Sequence, residues 1–232
     1  MKWTMLPQDE LLRKLEPPKG VIDMVLDTDT YNEVDDQFAL AYSLLSPEKL
    51  NVQAIYAAPF DNSRSTGPED GMEKSYDEIV RLLGALGRPA DGFVLKGSRA
   101  FLRDGDTPVD SPAARALVRR AMARPDDDPL YVVAIGAITN IASALLMEPR
   151  ITSKIVIVWL GGHPLRYPTA KEFNLMQDVP AVRVVMDCGA PVVLVPCYGV
   201  SSHLLATVPE LETFLGRGNA LCDALIDLCR LS

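Results

Sequence analysis

Five acidic side chains fall within ten residues: Asp27, Asp29, Glu33, Asp35 and Asp36, in the stretch Leu26-Asp27-Thr28-Asp29-Thr30-Tyr31-Asn32-Glu33-Val34-Asp35-Asp36. Asp27 and Asp29 are two apart, so on an extended strand end both point to the same side. Asp35 and Asp36 stand where the next helix should begin, and carboxylates gain there from the helix dipole and its free N–H groups. Capping explains one or two of these acids. It does not explain five converging on one strand end, because like charges that close repel. A hard divalent cation with oxygen ligands relieves the repulsion. An EF-hand is excluded: counted from Asp27, Tyr31 occupies the third ligand position and Asn32 the position of the required glycine.

The elements that must position this cluster are legible as short apolar runs alternating with helical patterns. Val21 to Leu26, Val52 to Ala57, Phe93 to Leu95, Leu130 to Ile135, Ile155 to Leu160 and Val192 to Val195 are strand candidates. Helices are predicted from Val34 to Leu45, along the stripe Ile79, Leu82, Leu83 and Leu86, and from Ala113 to Ala123 behind the Ser111-Pro112 start signal. Further helices are predicted from Thr139 to Met147 and from Ala181 to Cys188, the last closed by Gly189. From Ser201 onward the pattern is helical only, with Leu221, Leu225 and Leu228 on one stripe. Near-continuous apolar strands alternating with helices predict an α/β fold: a mostly parallel open sheet with helices on both faces and a Rossmann-like core. Ligands of such sheets bind beyond the carboxyl ends of the strands. Residues 61–71 and 161–178 are expected to be two long loops there.

With 232 residues, 48% hydrophobic and 23% charged, the chain can bury a substantial core, which excludes disorder over most of its length. A net charge of −8 argues against a nucleic-acid partner bound by bulk electrostatics. No apolar run approaches the roughly 20 residues of a membrane span, and the first 20 residues lack the apolar core of a signal peptide. Cys188, Cys197, Cys222 and Cys229 form no CxxC pair and are read as reduced thiols of a cytoplasmic protein. No membrane partner is expected; a homo-oligomer is.

Two resemblances attach to the acidic cluster. Asp27-Thr28-Asp29-Thr30 after a first strand resembles the Asp-x-Asp-x-Thr motif of haloacid-dehalogenase-like phosphatases, which would make Asp27 a nucleophile and Asp29 an acid/base with Mg2+. That match is one short motif. The second spans about residues 21 to 210. Asp27-Thr28-Asp29 followed by Asp35-Asp36 and Ala39-Leu40 resembles the signature of the inosine/uridine-preferring nucleoside hydrolases. Pro59-Phe60-Asp61-Asn62 and Lys96-Gly97-Ser98 are similar to that family's second- and third-strand turns. Gly136-Ala137-Ile138-Thr139-Asn140-Ile141-Ala142, then Gly161-Gly162, then Glu172-Phe173-Asn174 follow its segments in order. Several separated motifs in sequence order outweigh any one of them.

The second resemblance implies hydrolysis of the N-glycosidic bond of a ribonucleoside to free base and ribose, with one Ca2+ at the carboxyl end of the sheet. By it, Asp29, Asp36 and the backbone carbonyl of Thr139 would ligate the ion, and Asp29 would be the catalytic general base. Asp35, Asn62, Glu172 and Asn174 would bind the ribose. His163, Arg166 and Tyr167 share the candidate loop near a leaving base; His203 is read as structural. The spacer Thr30 to Val34 is longer than the family's and lacks its glycine, and Arg166 stands near where the family carries an Asn. The family's late Asp ligand and neighbouring His are not found; Asp223 and Asp227 read as solvent-face charges. On this reading residues 1–20 are an N-terminal extension and 21–232 a nucleoside hydrolase-like domain lacking the family's C-terminal elements. An inactive or weakly active member that only binds ribosides is the alternative from a different class.

Overall fold

A computed structural model describes residue 3 and residues 5–231. Six strands form one sheet: β1 (Ile22–Thr28), β2 (Leu50–Ala57), β3 (Val94–Lys96), β4 (Leu130–Ala134), β5 (Ile155–Leu160) and β6 (Val192–Val195). Their order is β3-β2-β1-β4-β5-β6 and every pairing is parallel. The chain builds outward from β1 in one direction, then restarts at β4 and builds the other way. The carboxyl ends of β1 and β4 therefore flank the crevice where open α/β sheets place ligands.

Parallel strands covered on both faces should be apolar throughout, with successive side chains going to opposite layers. Val25, Ala54 and Tyr56 enter one core with α4 (Pro112–Met122), α5 (Thr139–Met147) and α7 (Val179–Asp187). Their strand neighbours Met24, Leu26, Ile55 and Ala57 enter the other, with α2 (Asp35–Leu45), α3 (Pro68–Ala85) and α9 (Ala220–Leu231). Trp159, the largest fully buried side chain, satisfies its indole N–H by donating to the Gly136 carbonyl at 3.1 Å. α8 (Val208–Leu215) carries no buried residue and opens with a capping box between Thr207 and Glu210.

Two expected loops are shorter than predicted. The first ends at Gly67, whose φ of 139° only glycine adopts readily, because Pro68 starts α3 in the first-turn position that proline favours. The apolar stripe marks only the later part of that helix, because the earlier part buries Gly71, Met72 and Ser75, which form no apolar period. The second contains α6 (Phe173–Gln177), a single turn with no apolar period to betray it, held by the side chain of Glu172. Within residues 1–20, α1 (Gln8–Leu15) docks on the amino end of the sheet. Lys14, only 6% exposed, donates to the carbonyls of Asp126 and Ser153. Among the described residues no helix is long and apolar enough to cross a membrane.

Leu117 on α4 is completely buried in the core shared with α5. Leu117→Ala is expected to lower unfolding free energy by about 2–5 kcal/mol, read from a urea titration, since the cavity left behind relaxes only in part.

Candidate active site

β1 ends at Thr28, and Asp29 follows it directly, facing the turn after β4. A Cβ built on Gly136 would lie 2.7 Å from Asp29 Oδ1 and 3.2 Å from the Ala58 methyl, so a residue without a side chain is what makes room for this carboxylate. Asp29 is 1% exposed. Asn32 donates to its Oδ2 from the side-chain amide at 3.1 Å and to its carbonyl from the backbone N–H at 2.7 Å. Asp36, in the first turn of α2, is 4% exposed and accepts from the Thr28 hydroxyl, which also contacts Thr30 Oγ1 at 2.9 Å. Asp35, one residue earlier, is exposed.

The electrostatics of this corner run one way. Burial pushes the Asp29 carboxyl well above its ordinary value, and the charges of Glu33 and Asp35 push the same way against its hydrogen bonds. Burial does the same to Asp36, reinforced by Asp29 and Asp35 and opposed by the Thr28 hydroxyl. Glu33 is raised by burial and by Asp35 and Glu172, and lowered by the charge of Arg64. Asp27, fully buried, is pushed by burial up to about 7 against the hydrogen bond from Asn140. Its second oxygen has no partner.

Asn140 closes the floor of the site. It donates to Asp27 Oδ1 at 2.8 Å and to the Ala57 carbonyl at 3.3 Å, while its oxygen accepts from the Ser98 N–H and hydroxyl at 2.7 and 2.8 Å. One amide from α5 thereby ties together the carboxyl ends of β1, β2 and β3. The same contacts hold Asp27 inside the protein, so it presents no free carboxylate to a phosphate ester.

Glu172 and Asn174 form the far wall. Glu172 is the cap of α6: its Oε1 accepts from the Asn174 N–H, and its Oε2 from the N–H groups of Gly162 and Leu175, at 2.8 to 3.1 Å. The Asn174 amide donates to the Ile135 and Leu160 carbonyls and so bridges the ends of β4 and β5. Asn62, on the loop after β2, donates to Asn32 Oδ1 at 2.6 Å and accepts from the Arg64 N–H. Thr139 does not cap its own helix. Its hydroxyl donates at 2.7 Å to Asp178, which also accepts from the N–H groups of Leu102 and Ala181. Asp178 thus fixes the first turns of α5 and α7 together.

Asp29, Asn32 and Asn62 form one hydrogen-bonded group, with Asp36 beside Asp29 electrostatically. Glu172 and Asn174 form a second, joined to the first electrostatically through Glu33. Asp223 and Asp227 lie elsewhere, paired with Arg217. His163, Tyr167 and Tyr198 pack as an aromatic trio, with ring centroids 4.8 to 6.3 Å apart, beyond β5 and β6. Asn32, Asn140 and Asp178 were not singled out from sequence. Asn140 and Asp178 gain their importance from partners dozens of residues away, whereas Asn32 sits inside the acidic cluster and bonds Asp29 only three residues back.

The donor set is oxygen only, which suits a hard cation and not a soft one. Among the described residues no three His, Cys, Asp or Glu side chains gather at metal-holding distance. Asp29 and Asp36 are two carboxylates, and amide, carbonyl, water or substrate oxygens would have to complete a shell around them.

A parallel sheet whose switch point carries buried paired carboxylates, flanked by amide-rich loops, defines a ligand site of the α/β class. Residues 24–231 match the inosine-uridine preferring nucleoside hydrolase family, and the chain belongs to it. It is 26% identical over 232 residues to the pyrimidine-specific ribonucleoside hydrolase RihA of Klebsiella pneumoniae (strain 342), covering 89% of this chain and 70% of that one. To RihA of Enterobacter sp. (strain 638) it is 28% identical over 230 residues, covering 89% and 69%. Among solved structures, the purine-preferring ribonucleoside hydrolase from Gardnerella vaginalis superposes with a TM-score of 0.61 at 27% identity, over 89% of this chain and 71% of the other. An inosine-guanosine nucleoside hydrolase shares the fold with a TM-score of 0.69 at 22% identity, over 90% and 71%.

An acid whose folded pKa is raised binds a proton that the unfolded chain has lost. Its contribution to stability is complete below the unfolded value, near 4, and is lost as pH rises through the folded value. Asp27, at about 7, and the raised Asp29 and Asp36 set that window. In EDTA the melting temperature is therefore expected to fall as pH rises from 5 to 8. A flat profile would contradict the buried-carboxylate arrangement.

Proposed function

We propose that this chain hydrolyses the N-glycosidic bond of ribonucleosides with the help of Ca2+, using Asp29 as general base. The observation that carries this reading is the buried pair Asp29 and Asp36 at the β1/β4 switch point, in a chain of the nucleoside hydrolase family. Asp29, Asp36 and the Thr139 carbonyl would hold the ion, which when bound supplies positive charge that acidifies water and orients ribose hydroxyls.

The chain's own groups then have distinct tasks. Asp29 accepts the proton of the attacking water, its carboxylate placed at the β1/β4 crevice with Oδ2 held by Asn32. Asp35, exposed at the start of α2, accepts hydrogen bonds from ribose hydroxyls. Asn62 offers the amide hydrogen that Asn32 does not use. Glu172 and Asn174 shape the opposite wall, the glutamate with the one lone pair left on Oε1 for a hydroxyl donor. The ribose ring gains positive charge as the bond to the base breaks. The surrounding acids Asp29, Glu33, Asp35 and Glu172 favour that charge electrostatically. The family resemblance and the names of the relatives support ribosides as the substrate class. Relatives named for pyrimidine and for purine nucleosides make uridine and inosine the two substrates to assay.

Release of base from uridine or inosine in the presence of Ca2+ is the direct test. Asp29→Asn is expected to lower kcat by about 10²–10⁴-fold, the usual worth of a positioned base. Because the site's hydroxyl-binding groups are left unpaired by a substrate lacking its hydroxyl, the 2′-deoxy substrate is expected to lose at least about a hundredfold in kcat/KM. Equal rates on inosine and deoxyinosine would remove Asp35 and Asn62 from the ribose site. Tight Ca2+ binding with no turnover would favour a riboside-binding protein instead.

A further inference from the structure

The spacer between Asp29 and Asp35 looks like a surface insertion, yet its middle residue is enclosed. Asn32 is 3% exposed. Its planar head uses both ends: the amide donates to Asp29 Oδ2 at 3.1 Å, and the oxygen accepts from the Asn62 amide at 2.6 Å. Its backbone N–H closes a turn onto the Asp29 carbonyl at 2.7 Å. The residues beside it lean the same way. Lys74 Nζ, on α3, lies 5.9 Å from the centre of the Tyr31 ring, and Glu33 feels the charge of Arg64. Three successive spacer residues thus each engage the segment between Asn62 and Lys74.

We infer that Asn32 is a positioning residue: it sets the orientation of the Asp29 carboxylate and links it to the Asn62 loop, so that the base and the sugar-binding loop move as one unit. The inference rests on the proposed hydrolase reading for its chemical consequence, but its geometry is that of this chain's own spacer. A donor is needed on the side facing Asp29 and an acceptor on the side facing Asn62. Asparagine supplies both from one short side chain. With Oδ2 held by Asn32, Asp29 keeps Oδ1 beside Gly136, at the β1/β4 crevice. Groups that hydrogen-bond a metal-binding carboxylate hold its orientation, and their loss typically lowers metal affinity or activity about 10–100-fold.

The test compares the wild-type chain with Asn32→Ala, and with Tyr31→Ala as a disturbance of the spacer that leaves Asp29 untouched. Calcium alone, titrated calorimetrically without substrate, is expected to bind Asn32→Ala at least about tenfold more weakly, and Tyr31→Ala within about threefold of wild type. With uridine or inosine, Asn32→Ala is expected to lower kcat about tenfold or more with KM within threefold, the signature of an interaction that matters in the transition state. Far-ultraviolet circular dichroism and melting temperature check that each variant is folded. Wild-type calcium affinity and kcat in Asn32→Ala overturn the inference, as does an effect on KM alone or an equal loss in Tyr31→Ala. If the wild-type chain turns over no nucleoside, the calcium titration still decides the role of Asn32. A wild-type chain that neither binds calcium nor turns over overturns the hydrolase reading and this inference with it.

Discussion

Two carboxylates enclosed within one corner of a protein repel each other, and each has also lost its water. Asp29 and Asp36 meet both conditions at the end of β1. Such a corner is stable only if protons or a cation compensate it, and only if the surrounding framework is rigid enough to hold the acids in place. Much of the upper half of the molecule serves that second requirement. Gly136 makes room for Asp29, Thr28 bonds Asp36, Asn140 braces the strand that leads into Asp29, and Asp178 anchors the helix that carries Asn140. None of these groups is free to relax into solvent.

The framework is economical in its use of amides. Asn32, Asn62, Asn140 and Asn174 each bridge segments that the chain separates: spacer to strand, loop to spacer, helix to three strand ends, single-turn helix to two. An amide carries donor and acceptor without charge, so it can join a cluster of acids without adding to their repulsion. Lysine or arginine in the same places would neutralise the acids directly and leave them no demand for an ion. The cations that engage the spacer, Arg64 and Lys74, stay on the outer loop and on α3.

Much of this architecture was readable before any coordinates. Thr139–Met147, Ile155–Leu160 and Val192–Val195 have the same bounds in sequence and structure, because their apolar patterns are uninterrupted and their ends carry clear stops. The acidic cluster stood out because its charge density conflicts with its place after a buried strand. What escaped was whatever depends on a partner far along the chain or on a single polar bond. Glu172 reads as a loop acid until its three backbone donors are seen. Asn32 reads as part of an insertion until Asn62 is found against it. The first turns of α3 escaped because the residues they bury, Gly71, Met72 and Ser75, carry too little apolar periodicity to extend the stripe.

The Asn140–Asp27 bond joins residues 113 apart in sequence, and the first three strands alone leave it unmade. During synthesis β1, β2 and β3 emerge long before β4 and α5, so the acids of β1 exist for a time without their floor or the Gly136 wall. Contacts of that separation form late in folding, after the loop-closure entropy of the intervening chain has been overcome. Assembly of the site is therefore a report that both halves of the sheet have joined: a half-made sheet has the acids but not the geometry that encloses them.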